Sequence, residues 1–352
     1  KDSAQVWPVV TAVLIVACPC ALALSMPFAY GHTIRLLGKR GLFLRDAEVV
    51  ERMARIDTVV FDKTGTLTAR DAHEMEWHGA ALTERNKALV RSLARNSTHP
   101  LSAVLAQELK GSLNDASDVE EVAGQGIMGT VNGVILRIGS APFCGGDEQP
   151  RKNGEAHVQV TISGLHRGHF TIRKRARRGI VAAVARLRGT LRVALLTGDA
   201  QVDTELQEAF SNATVRTGCS PVDKSQAILA EQGEGHRVLM VGDGLNDAGA
   251  LAQSDVGITV TETSAALTPA SDAIMDAGSL EQLPHFLRMA RRARRIVVAS
   301  LFISLCYNIT GVSFAVSGQL TPLIAAILMP LSSVTVVGFV TLAVSWTARR
   351  TS

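Results

Sequence analysis

Hydrophobic residues along this chain follow two patterns. In the first, long stretches are apolar without alternation and carry no charge. Trp7 to Tyr30 is interrupted by hydroxyls only at Thr11 and Ser25. Ile296 to Thr347 is also uncharged, and Gly318–Gln319–Leu320–Thr321–Pro322 divides it. Three segments of about 20–26 residues result, each long enough to cross roughly 30 Å of hydrocarbon as a helix. Three membrane spans are therefore expected.

In the second pattern, short β-prone runs end in polar residues. Thr58–Val59–Val60–Phe61 runs into Asp62, Val193 to Leu196 into Thr197–Gly198–Asp199, and Val238 to Val241 into Gly242–Asp243; Val256–Gly257–Ile258 follows. Helical segments, Ile180 to Leu187 after Gly179 and Ser225 to Glu231, lie between them. Strands alternating with helices predict an α/β, doubly wound parallel sheet, with its active site at the carboxyl ends of the strands. About 100 residues separate the first strand from the rest, more than any ordinary connection, so a second module is inserted there. Alanine-rich helical patterns with glycine punctuation are read in it. The expected layout is a transmembrane helix over 1–34, a basic amphipathic stalk over 35–55, and the first part of the sheet domain over 56–70. The insert follows over 71–170, the rest of the sheet domain over 171–287, and two transmembrane helices over 288–352.

Charge adds an orientation. Arg35, Lys39, Arg40 and Arg45 follow the first apolar stretch; Arg288, Arg291, Arg292, Arg294 and Arg295 precede the second; Arg349 and Arg350 follow the third. Basic residues flank the cytoplasmic side of spans, so the polar middle and the C-terminus are expected there. The net charge of +4 then reflects topology, and nucleic acid is not an expected partner. The first stretch lacks the basic leader of a signal peptide. Five cysteines do not form a disulfide framework: Cys18, Cys20 and Cys306 lie in spans, Cys144 and Cys219 in the reducing interior.

Chemistry concentrates in Asp62–Lys63–Thr64–Gly65–Thr66–Leu67–Thr68. A carboxylate at the tip of a buried strand can attack a phosphorus and form an aspartyl phosphate. Gly65 permits a tight turn whose N–H groups can hold phosphate oxygens. This heptapeptide resembles the signature of P-type ATPases, and the other cytosolic motifs of that family arrive in order. The resemblance implies a haloacid-dehalogenase-like phosphorylation domain with an inserted α+β nucleotide-binding domain. It implies that Thr197, with Gly198 and Asp199, holds the phosphoryl group and that Lys224 offsets its charge. In Gly242–Asp243–Gly244–Leu245–Asn246–Asp247–Ala248 it makes Asp243 a Mg²⁺ ligand, together with Asp62 and Thr64, and gives Asn246 and Asp247 catalytic roles. Hydrolytic relatives of this fold carry an acid/base aspartate two residues after the nucleophile. Here Thr64 stands there and cannot relay a proton at neutral pH, so the phosphoenzyme should persist.

Within the insert, Ser97–Thr98–His99–Pro100 and Gly124–Gln125–Gly126–Ile127–Met128–Gly129 resemble the nucleotide motifs of heavy-metal pumps. His99 would pack on adenine, and Gly124, Gly126 and Gly129 would let backbone approach ATP. Two positions depart from the copper exporters: Ala94 replaces a glutamate, and Lys174 replaces the acidic residue of an Asp-x-x-Arg motif.

Cys18–Pro19–Cys20 breaks the first span, since proline removes a helical N–H, and paired thiolates favour soft ions. Tyr307–Asn308 and Met329–Pro330–Leu331–Ser332–Ser333 resemble the remaining ligand motifs of Cu⁺ pumps, making Tyr307, Asn308, Met329 and Ser333 candidate ligands. The expected activity is ATP-driven export of Cu⁺ or Ag⁺ through an aspartyl phosphate, at the cell or plasma membrane, with a cytosolic carrier delivering the ion. A Zn²⁺ or Cd²⁺ pump and a non-cycling membrane metal-binding or regulatory protein are the alternatives. No Thr-Gly-Glu actuator motif occurs and the first residue is Lys1, so a fragment or split gene product is expected, with the actuator supplied by an upstream segment or another chain.

Overall fold

The computed structural model describes residues 3–18, 20–148, 150, 154–262 and 271–349. The chain begins with helices α1 (Ser3–Val16) and α2 (Cys20–Gly38), strand β1 (Leu42–Leu44) and helix α3 (Ala47–Arg55). The stalk expected over 35–55 is therefore helix, strand and helix. Gly41 makes the corner with φ +83°, and a Cβ there would sit 2.6 Å from Ser279 Oγ, so only glycine fits. Asp46 restarts the chain as a helix: its Oδ1 accepts the Val49 N–H at 3.1 Å, satisfying a donor that the first turn leaves open. The apolar face of α3 buries Val49, Val50 and Met53.

Strand β2 (Thr58–Asp62) is buried at all five positions and ends in a tight turn over 63–67, where Gly65 takes φ +76°. The chain then enters β3 (Thr68–Gly79), α4 (Glu84–Ala94) and α5 (Pro100–Glu108). It continues through β4 (Ala116–Val122), β5 (Gly126–Val131), β6 (Val134–Gly139), α6 (Ala141–Cys144), β7 (Glu155–Ile162) and β8 (Leu165–Ala176). These six strands form an antiparallel sheet in the order β3-β8-β7-β6-β5-β4. The helical pattern expected here is confined largely to α4 and α5. The strand signal was the period-two alternation: Val158, Val160 and Ile162 face the core with Leu89, Leu93 and Leu105, and the residues between them face the other way. At the base of this module β3 and β8 pair as Thr68↔Ala176 and next as His73↔Lys174.

The return leg supplies α7 (Ile180–Arg188), β9 (Arg192–Leu196), α8 (Thr204–Ala209), β10 (Thr214–Arg216) and α9 (Pro221–Gly233). Next come β11 (Val238–Gly242), α10 (Ala248–Gln253), β12 (Val256–Thr261) and β13 (Ala273–Asp276). The seven-stranded sheet has the order β1-β13-β12-β11-β2-β9-β10. It is parallel except where β1 meets β13. Strand β2 lies between β9 and β11, so its carboxyl end opens where the connections diverge to opposite sides, the usual place for a site in such sheets.

Helices α11 (Leu283–Val316) and α12 (Pro322–Arg349) complete the described chain. Among the described residues two helices are long and apolar enough to cross a membrane, Ala277–Val316 and Pro322–Ser345. The first of the three expected spans is instead divided between α1 and α2. The break follows Val16, and Cys18 N–H bonds back to Ile15 O at 3.3 Å in a tightened last turn. Pro19, which has no N–H to continue the ladder, lies outside the described residues.

Phe61, fully buried beside the candidate nucleophile, meets the Phe210 ring edge-to-face at 6.1 Å and 81°. Phe61→Ala should lower stability by about 3–5 kcal/mol, read as a lowered midpoint in thermal unfolding of the detergent-solubilised chain.

Candidate active site

Register sets the first layer of the site. Asp62 pairs with Leu196 across β2 and β9, and Phe61 with Val241 across β2 and β11. Thr197 and Gly242 thus flank the tip of β2, and Asp243 follows. Helix α9 aims Lys224 at that tip. Its cap is a reciprocal pair in which Ser220 Oγ accepts the Asp223 N–H at 3.2 Å and Asp223 Oδ2 accepts the Ser220 N–H at 2.8 Å. Lys224 Nζ donates to Asp62 Oδ1 at 2.5 Å and to Asp247 Oδ1 at 2.7 Å, and all three residues are buried. Gly242 has no room for a side chain, since a Cβ would lie 2.5 Å from Asp247 Oδ2.

Burial, then the charge of Asp247, pushes Asp62 up to about 7 against the pull of the Lys224 ammonium; Asp243 adds to the rise. Burial disfavours the Lys224 cation, but Asp247 and Asp62 outweigh it and leave its pKa raised. Two carboxyl groups share one ammonium, and the charge of Asp243 is felt at Asp62 as well, so acidic groups outnumber the cation here. An all-oxygen, anionic donor set of this kind suits Mg²⁺; Asp62 and Asp243 would hold it, with Thr64 beside them.

A second cluster lies on the β9 side. Lys63 turns away from Asp62: its buried Nζ lies 2.7 Å from Asp199 Oδ2 and 3.5 Å from Asp203 Oδ2, and it donates to Gln201 O at 3.3 Å. Thr64 Oγ1 donates to Asp199 Oδ2 at 3.2 Å, and Thr197 Oγ1 accepts the Asp199 N–H at 3.1 Å. Burial opposes ionisation of Asp199, yet the Lys63 hydrogen bond and charge hold its pKa below the usual value. Sequence reasoning missed Asp203 and Arg177. Arg177 Nε donates to Thr66 O at 2.6 Å and its Nη2 to Gly65 O at 3.2 Å and to Glu262 Oε1 at 2.7 Å. It stands where the Asp-x-x-Arg motif ends, which was the available signal.

A family profile described as haloacid dehalogenase-like hydrolase matches residues 56–255. The chain belongs to that family. The chain is 34% identical over 341 residues to the nitrogen fixation protein FixI of Rhizobium leguminosarum bv. viciae, covering 96% of this chain and 44% of that protein. A copper-exporting P-type ATPase of Staphylococcus saprophyticus is 31% identical, with 93% and 43% covered. The cation-transporting P-type ATPase B of Mycobacterium tuberculosis is 31% identical, with 95% and 47% covered. The chain spans less than half the length of these curated relatives. Its fold matches the crystal structure of a zinc-transporting PIB-type ATPase in the E2.Pi state with a TM-score of 0.79 at 22% identity, over 94% of this chain and 56% of that one.

The remaining candidate residues of this P-type ATPase homologue gather in two further places. A cleft of about 660 Å³ separates the sheets; Lys63, Asp199 and Asp203 line one wall, and Pro100, Leu101 and Lys174 the other. His99 caps α5, its Nδ1 accepting the Leu101 N–H at 3.2 Å. Ser97 Oγ donates to Glu121 Oε1 at 2.5 Å, tying the His99 loop to the strand that leads to Gly124. Gly124, at φ +71°, has open space where a Cβ would point. Gly126 and Gly129 are small for packing reasons: a Cβ would lie 2.3 Å from Ile138 O at the former and 2.9 Å from Leu93 Cδ1 at the latter. Asn246 is exposed, and its N–H and that of Leu245 face Asp243 Oδ1 at 3.4 and 3.0 Å.

In the helices, Tyr307, Asn308 and Met329 line a pocket of about 210 Å³ with Val16, Gly311 and Leu328. Tyr307 Oη donates to Leu328 O at 3.1 Å, and Ser333 Oγ to Met329 O at 3.3 Å. Cys18 follows Val16 by two residues; the side chain of Cys20 lies outside the described residues.

The raised pKa of Asp62 makes the stability of the fold depend on pH. The folded chain keeps a proton that the unfolded chain, near 3.8, releases, so this group's contribution to stability falls as pH rises from about 4 to 7. Infrared spectroscopy of the magnesium-free chain should show a protonated carboxyl titrating near pH 7, absent in Asp62→Asn. Asp247→Asn should move that titration to lower pH, because it removes a neighbouring negative charge. A titration insensitive to both substitutions would exclude Asp62 as its source.

Proposed function

We propose that the chain is the phosphorylating and ion-conducting part of an ATP-driven Cu⁺ exporter working through an aspartyl phosphate. The observation that carries this reading is the buried Asp62–Lys224–Asp247 arrangement at the tip of β2. An Asp62 oxygen attacks the γ-phosphorus of ATP; the bond to the β,γ-bridging oxygen breaks, and ADP leaves with that electron pair. Lys224 spreads charge on the transferred group, and the Thr197 hydroxyl and turn N–H groups offer further donors. Mg²⁺ bound at the carboxylates would neutralise phosphate charge. Asp62 must be ionised to attack, so phosphorylation should weaken as pH falls below its pKa. Thr64, two residues after the nucleophile, has no basic group to activate water, and its hydroxyl is committed to Asp199. Dephosphorylation therefore falls to an actuator module outside these residues.

ATP would occupy the cleft between the sheets, whose walls carry Pro100 and Lys63, the neighbours of His99 and Asp62, with adenine toward His99 and phosphates toward Asp62. Cu⁺ fits the helix pocket: a thioether, a phenol and an amide line it, no carboxylate is among its lining residues, and Cys18 and Cys20 lie just beyond α1. A sulfur-bearing, uncharged set favours a soft monovalent cation over Zn²⁺ or Cd²⁺. The catalytic modules would face the cytoplasm of a cell whose envelope holds the helices.

With γ-labelled ATP the chain should acquire an acid-stable, hydroxylamine-sensitive label, lost in Asp62→Asn and reduced at least about 100-fold in rate in Lys224→Ala. A full label in Asp62→Asn would overturn the assignment of the nucleophile. For the ion, Cys18→Ser and Cys20→Ser should abolish Cu⁺ binding and Met329→Ala weaken it about tenfold, with X-ray absorption reporting sulfur ligands. Oxygen- and nitrogen-dominated coordination would remove copper while leaving the phosphorylation chemistry intact.

A further inference from the structure

Among the described residues, the cleft between the two sheets is lined by the charged side chains of Lys63, Lys174, Asp199 and Asp203. Lys63 and the two aspartates belong to the parallel-sheet domain, whereas Lys174 comes from β8 of the inserted sheet. Their surroundings give the two lysines different capacities.

Lys63 is fully engaged. Its side chain is 4% exposed, with Nζ 2.7 Å from Asp199 Oδ2 and 3.5 Å from Asp203 Oδ2. The same ammonium donates to Gln201 O at 3.3 Å. A lysine ammonium has three N–H donors, and Asp199, Asp203 and Gln201 take them up. No donor is left over for an incoming anion. Two carboxylates against one ammonium also leave this wall with an excess of negative charge, which repels a phosphate chain.

Lys174 is uncommitted. It is exposed, and among the described residues it has no hydrogen-bond or ion-pair partner. Strand register aims it into the cleft. His73 on β3 pairs with Lys174, and Ala156 on β7 pairs with Ile172. Residues paired across strands, and those two apart on one strand, share a face, and all four line the cleft. Two residues further along β8, Ala176 pairs with Thr68, which closes the turn carrying Lys63 and Thr64. Lys174 therefore stands at the phosphate end of the cleft. Its charge is felt on the opposite wall: burial raises the pKa of Asp199, while the bonded Lys63 and then Lys174 lower it. Asp199 is also the residue that accepts the Thr64 hydroxyl at 3.2 Å.

We propose that Lys174 is a nucleotide-binding residue whose ammonium pairs with the β-phosphate of the nucleotide in the cleft, where Lys63 is already neutralised by Asp199 and Asp203. The inference rests on the reading of the cleft as the ATP site and gives that site a cation supplied by the inserted sheet. One nucleotide is then held by charge from both modules, and its affinity depends on how many phosphates it carries.

The test is calorimetric binding of ATP, ADP and AMP to the full chain in detergent, in magnesium-free buffer so that the nucleotide stays intact. Lys174→Met should weaken ATP and ADP at least about tenfold, as expected for loss of a charge-assisted hydrogen bond. AMP, which has no β-phosphate, should stay within about twofold of the wild type. Lys174→Asp should weaken ATP further, and Lys174→Arg should retain most of the affinity. Lys87→Met removes an ammonium that pairs with Glu84 on α4, outside the cleft, and should bind like the wild type. Lys174 is exposed, so its variants should fold, which circular dichroism checks. A wild-type chain that binds no ATP would remove the reading of the cleft and this inference with it. ATP binding by the wild type with undiminished affinity in Lys174→Met, or with an equal loss for AMP and ATP, overturns the role of Lys174 alone.

Discussion

One buried ammonium group shared by two carboxylates sets the terms for the rest of this chain. Lys224, Asp62 and Asp247 come from three distant segments, and none is tolerable in the interior without the others. Removing the cation would leave two like charges facing each other in a dry pocket; removing a carboxylate would leave a buried charge poorly compensated, a loss that costs several kcal/mol. The positions of β2, α9 and the turn after β11 are therefore mutually dependent. The absence of a side chain at Gly242 follows from the same constraint, because Asp247 fills the space. The arrangement that fixes the segments also withholds ionisation from Asp62, which ties the reactivity of the candidate nucleophile to whatever cation joins Lys224.

On the other side of β2, Lys63 and Thr64 are drawn toward Asp199 rather than toward Asp62. Adjacent residues of one motif thus serve opposite flanks, with Asp62 facing Lys224 and Lys63 closing against the segment that follows β9. Arg177 holds the carbonyls of the intervening turn. The tip of β2 is fastened by cations on three sides, and their positions owe more to charge pairing than to apolar packing.

The parallel strands were legible because a strand buried on both faces reads as a continuous apolar run, as Thr58–Phe61 and Val238–Val241 do. The antiparallel module was harder. Its strands alternate, and His157, Gln159 and Thr161 interleaved with Val158, Val160 and Ile162 dilute the hydrophobic signal. The glycine pattern at 124–129 was visible in the sequence, but its physical origin was not: two of its glycines are small because Ile138 and Leu93 crowd them. Asp203 and the grip of Arg177 depend on contacts about 110–140 residues apart along the chain, which no local periodicity encodes. The first apolar stretch had the length of one helix, and its division after Val16 cost the clean count of spans. In the membrane pocket, Tyr307, Asn308 and Met329 were named from motif likeness, and helix packing supplies their proximity.

The pairing at the base of the antiparallel module has a mechanical meaning. From Thr68 to His73 the chain advances five residues on β3, while from Ala176 to Lys174 it retreats only two on β8. The ladder is interrupted between its first rung and the seven that follow, so flexure there sacrifices few hydrogen bonds and leaves both sheets internally rigid. Thr68 and Ala176 stay clamped to the turn by Arg177, whose own N–H bonds Leu67 O at 2.8 Å. The irregularity therefore sets one rung beside the turn, next to Asp62, apart from the seven rungs of the upper sheet.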